Sequence, residues 1–130
     1  MPKKGKPASE IVALREWLIS LGDLLQAVSL DSLEERGGWD WTLFEEVLGR
    51  VEQITPSFQA ALTDYLVLPE DRSGEIVVAL LAVDRLSTAY TYWTRLFPPR
   101  QADESMFVLS LLHDLSDKVE RAIQLLDNNY

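Results

Sequence analysis

Ile76-Val77-Val78-Ala79-Leu80-Leu81-Ala82-Val83 is the stretch whose reading decides the fold. Eight consecutive apolar residues suit a buried strand as well as a buried helix, and periodicity within the run does not separate the two. The residues after it do. Leu86, Tyr90, Trp93 and Leu96 follow at helical spacing, and a lone strand has nothing in this chain to pair with. The stretch therefore reads as the first half of a long helix from about Gly74 to Phe97, capped at Ser73 and ended by Pro98-Pro99.

The neighbouring segments read the same way. Ile11, Leu14, Leu18, Leu21, Leu25 and Val28 step by three and four, with Trp17 and Leu24 widening the stripe. This first helix is expected from Ser9 to near Leu30. Asp31-Ser32-Leu33-Glu34 then reads as a capping box for one short extra turn, stopped by Gly37-Gly38. At Trp39-Asp40-Trp41-Thr42 a second long helix opens. Asp40 as N-cap sets Trp39 and Phe44 at the two positions of a hydrophobic staple, and Thr42 with Glu45 is a competing capping box. Pro56 disfavours helix at Thr55, so this helix is expected to kink or break there, with Thr55 as the cap of a restarted segment. The polar loop Leu68–Arg72 precedes the third helix. The fourth starts near Asp103, with Val108, Leu112, Leu115, Val119, Ala122 and Leu126 on a seven-residue repeat.

Together these elements predict an all-α fold: an antiparallel up-down bundle of about four helices, the second kinked or broken at Pro56. A chain of 130 residues with 47% hydrophobic content is the size of one domain and can bury a core unaided. Residues 8–130 are read as that domain, and residues 1–7 as a disordered basic tail.

Composition excludes several chemistries. With no cysteine, disulfides, thiolate metal sites and thiol catalysis are ruled out, and a reducing, cytoplasmic setting fits best. An apolar run of eight residues falls far short of the ~20 that span a bilayer, and Glu10, Arg15 and Glu16 interrupt any signal-peptide core. The net charge is −9, and −12 without Lys3, Lys4 and Lys6, a field that repels nucleic acid and anionic lipid. His113 is the one histidine and lies on the polar side of the fourth helix, with Asp117 its only carboxylate neighbour at helical spacing. No metal, di-iron or other cofactor site can be assembled around it. Glu45, Glu46, Glu52, Glu75 and Asp84 fit no magnesium-binding spacing, Gly37-Gly38 lacks the residues of a phosphate loop, and no nucleophile elbow is visible. The reading is non-enzymatic.

What remains is a surplus of apolar residues. Met106, Phe107, Leu109 and Leu125 fall off the main stripe of the fourth helix, and the third is apolar all round in its first half. Trp39, Trp41 and Tyr92 add aromatics near helix ends, residue types enriched at interfaces. These seven are the candidate interaction residues. The expected function is a helical interaction module that self-associates, or docks on a protein partner, through the third and fourth helices. Two alternatives stand beside it: a small scaffold subunit of a bacterial defence-type nucleoprotein, using Arg95, Arg100, Lys118 and Arg121 with the Lys3-Lys4-Lys6 tail, or an acidic inhibitor covering a basic surface. Nucleic acid enters only through such a larger complex. Eight arginines against one lysine beyond the tail suggest a GC-rich bacterial genome.

Overall fold

A computed structural model describes residues 9–68 and 74–130. Tail residues 1–7, the loop positions Pro69–Arg72 and the cap at Ser73 lie outside them. The described residues form α1 (Ser9–Ala27), α2 (Leu30–Glu35), α3 (Trp41–Leu66), α4 (Gly74–Leu96) and α5 (Met106–Asn129), with a 3₁₀ turn at Ala102–Glu104. The four long helices are those expected, so the sequence's third and fourth helices are α4 and α5.

Side-chain pairs give the topology. Glu52 meets Arg95, Thr55 meets Ser87 and Gln59 meets Asp84, so numbers rise along α3 as they fall along α4. Arg15 near the start of α1 pairs with Asp127 near the end of α5, and Glu75 at the start of α4 with Arg121 of α5. Each long helix packs on two others, α1 on α3 and α5, α4 on α3 and α5. That ring is the antiparallel up-down bundle. Its core is one cluster drawn from all four, including every predicted stripe residue of α1 and α5.

Three local expectations change. α1 stops at Ala27, and Ser29 caps α2 by accepting from the Ser32 amide, because that serine reaches its N3 amide before Asp31 can. α3 runs unbroken through Pro56. Thr55 does not cap a new helix; its hydroxyl bonds backward to the Val51 carbonyl at 2.8 Å and meets Ser87 Oγ at 3.0 Å. The proline ring is solvent-exposed, so the ladder bond it removes lies on the wet side. On α4 the inner stripe is Ile76, Ala79, Leu80, Val83, Ser87, Tyr90 and Thr94, which turns Trp93 and Leu96 outward.

The start of α3 forms as read. Asp40 Oδ1 accepts from the Leu43 amide at 3.1 Å, and Trp39 stacks on Phe44 with ring centroids 5.0 Å apart. Thr42 plays no capping part. α2 ends in a Schellman motif: the Gly38 amide donates to Leu33 O and the Gly37 amide to Glu34 O, with Gly37 at φ 100°.

Two glycines should respond with opposite signs. Alanine at Gly22 would set its Cβ 3.5 Å from Val119 Cγ1, an ordinary contact inside a helix, so Gly22→Ala is expected to stabilise by about 0.5–1 kcal/mol. Gly37→Ala forces a side chain into the left-handed region and is expected to cost about 1–2 kcal/mol; denaturant midpoints check both. The Arg15 hydrogen bond, aided by its charge and opposed by burial, holds the Asp127 carboxyl below its usual range. A depressed folded-state pKa stabilises above the unfolded value, and the gain is lost as pH falls through the folded one. Both side chains are nearly half exposed, so Asp127→Asn should cost about 0.2–1 kcal/mol at pH 7. The difference from the parent should shrink as pH falls below the ordinary carboxylate range and vanish only below the lowered folded-state value.

Candidate functional site

At the end of the bundle where α4 hands over to α5, the connection is held down by one hydrogen bond. Trp39 Nε1 donates to the Pro99 carbonyl at 2.7 Å, tying the α4–α5 connection to the start of α3. Ser105, buried below the 3₁₀ turn, donates its hydroxyl to Ala102 O. The chain therefore re-enters α5 at a set angle, and Phe107 lands beside the last turns of α4.

The result is an aromatic corner. Trp93 stacks parallel to Phe97 with centroids 5.9 Å apart, and Tyr92 and Phe107 meet it edge-on at 5.1 and 6.0 Å. Such edge and offset contacts are the favoured aromatic geometries. Yet the side chains stay largely in water: Tyr92 is 58% exposed, Phe97 62%, Phe107 55% and Met106 81%. Leu96 adds to the same surface. Exposed aromatics already ordered by their own contacts lose less side-chain freedom on docking than isolated ones.

Of the seven candidate residues, three gather here: Tyr92, Met106 and Phe107. Trp39 and Trp41 are half-buried against the core and stack on Phe44, which in turn meets Tyr90. Leu109 is likewise half-buried, in a groove with Leu30, Asp31 and His113. Leu125 is a correction. It is only 7% exposed, because it lies on the side of α5 that faces α4, and a helix with two bundle neighbours buries a stripe wider than a seven-residue seam. Trp93, Leu96 and Phe97 were assigned to the inner face or the helix end, and belong to the surface instead. The available signal was Ser87 and Thr94: reading those small polar residues as the inner stripe would have turned Trp93 out.

Three arginines are held in ion pairs between helices. Arg95 makes a two-pronged contact to Glu52, at 2.7 and 3.0 Å; this bond raises its pKa, with Glu45 adding a further favourable charge. Arg121 pairs with Glu75, so of Arg95, Arg100, Lys118 and Arg121 two are held in ion pairs; the tail lysines lie outside the described residues. His113 stands exposed, 3.4 Å from Asp117. Among the described residues no group of three or more His, Asp or Glu side chains could hold a metal ion, and no helix is long and apolar enough to cross a membrane. Every described charged residue is exposed or half-buried.

Behind the corner, Tyr90 is fully buried against Phe44, and burial pushes its hydroxyl pKa well above the usual value. Its Oη and the Thr94 Oγ1 one turn later have no hydrogen-bond partner among the described residues. Comparison of the chain with protein families, with curated proteins and with solved structures gave no match.

An unpaired buried hydroxyl costs about 1–3 kcal/mol. Tyr90→Phe and the near-isosteric Thr94→Val are therefore expected to leave stability unchanged or raise it by about 1 kcal/mol. A midpoint lowered by either substitution would show that the hydroxyl is satisfied in solution.

Proposed function

We propose that this chain is a non-catalytic helical interaction module that assembles through the outward surface of α4 and the start of α5, with a second copy as its partner. The observation that carries the reading is the ordered aromatic corner of Tyr92, Trp93, Phe97 and Phe107, which stacks upon itself yet stays in water. Contiguous exposed apolar patches rimmed by polar residues mark interaction surfaces, and pre-ordered aromatics are the residues on which binding energy concentrates. Catalysis has little to work with, since the one histidine is a surface group on another face and the polar residues inside the bundle, Ser87, Thr94 and Ser105, are neutral.

The test is the solution mass by size-exclusion chromatography with light scattering. The parent chain is expected above the 14.8 kDa of a single copy, and Phe107→Glu, which puts a charge into the corner at an exposed site, is expected at single-copy mass with an unchanged helical circular dichroism spectrum. A parent chain at 14.8 kDa in concentrated solution would overturn self-assembly. An assembled Phe107→Glu chain would overturn the assignment to this surface.

A further inference from the structure

The outward face of α4 carries a pattern of its own. Beyond the stripe that enters the core, Val78, Leu81, Arg85, Thr88, Tyr92 and Leu96 recur at spacings of three and four along the solvent side. At 100° per residue they fall within a narrow band. Arg85 is the single charge in it, and it has no ion-pair partner among the described residues. The outward face of α5, with Ser110, His113, Asp117, Glu120 and Gln124, shows what a solvated face of this same bundle looks like. The α4 band is built differently, as a second seam.

We infer that this seam is the contact between two copies of the chain, whose α4 helices pack antiparallel about a two-fold axis passing between Thr88 and Ala89. The pattern is self-complementary in that register. Leu81 falls opposite Leu96 of the second copy, Arg85 opposite Tyr92, and the small pair Thr88 and Ala89 lies at the axis, where the helices approach most closely. The two apolar ends of the seam bury each other, as a two-fold contact requires.

Charge selects the second copy, and this direction. Parallel pairing in register would set Arg85 against Arg85. In the antiparallel register the two arginines stand seven residues apart along the axis, ~10 Å. Each guanidinium instead meets the face of the other copy's Tyr92, a cation–π arrangement. Tyr92 also lines a groove with Glu52, Thr88 and Arg95. There Glu52 is held by the Arg95 guanidinium in a two-pronged contact.

The inference rests on the reading of the α4–α5 surface as a self-assembly site, and the cysteine-free sequence allows a test that separates the two. Thr88→Cys would place two thiols across the axis within disulfide reach, a Cβ separation of about 4–5 Å. Val78→Cys would place them ~30 Å apart. Mild oxidation of the full chain is expected to give a covalent dimer for Thr88→Cys and none for Val78→Cys, and Arg85→Glu should weaken dimerisation about tenfold or more. If the parent chain assembles and Phe107→Glu dissolves it, but Thr88→Cys is not trapped or Val78→Cys is trapped equally fast, the two-fold pairing is overturned and the assembly surface stands. If Thr88→Cys and the parent chain both remain single copies, both are overturned.

Discussion

A helix in a four-helix bundle has one face toward its neighbours, and that geometric limit governs this molecule. Whatever apolar residues a helix carries beyond its inward face must stand in water or be covered by something else. α1 and, beyond its first turn, α5 largely obey the limit: their apolar stripes enter the core, and apart from Val12 their far sides are charged or polar. α4 does not. Ile76, Leu80 and Val83 go inward while Val78 and Leu81 go outward, and the aromatic residues of its last turns lie outside a stripe that closes on Tyr90 and Thr94. The consequence is an asymmetric particle, acidic over most of its surface and apolar along one helix.

The corner depends on ordinary local chemistry far from it in sequence. Asp40 caps α3 and sets the direction of Trp39, which stacks on Phe44 and reaches across to Pro99. That bond fixes where α4 ends and α5 begins, and so brings Phe107 against Trp93. The ion pairs Arg15–Asp127, Arg95–Glu52 and Arg121–Glu75 each join neighbouring long helices. Exposed as they are, they contribute more to the register of those contacts than to total stability. The hydroxyls of Tyr90 and Thr94, without a hydrogen-bond partner among the described residues, lie on the inner face of the same turns of α4.

Much of the architecture was legible in the sequence because its signals were local or periodic. The cap at Asp40, the Trp39–Phe44 staple, the stop at Gly37-Gly38 and the α5 stripe each need only a few neighbouring residues to be read. The errors came where two readings competed for one position. Trp93 and Leu96 match helical spacing from Leu86 as well as Thr94 does from Ser87 and Tyr90, and size favoured the wrong register. Leu125 lies next to Leu126, and only the position of α4 decides that both are buried. Thr55 and Pro56 resemble a helix start, but α4 supplies Ser87 as a partner that favours a continuous helix. The surplus of apolar residues was visible from composition; its concentration on one helix face required the fold.

The central claim is that the outward side of α4 is covered by another molecule of this chain when the protein is at working concentration. Oxidative side-chain footprinting of the unmodified chain, read by mass spectrometry at a dilute and a concentrated condition, tests it residue by residue. Tyr92, Phe97 and Phe107 are expected to become protected on concentration while the exposed His113 on α5 reacts equally in both. Equal reactivity of all four residues at both concentrations would contradict it.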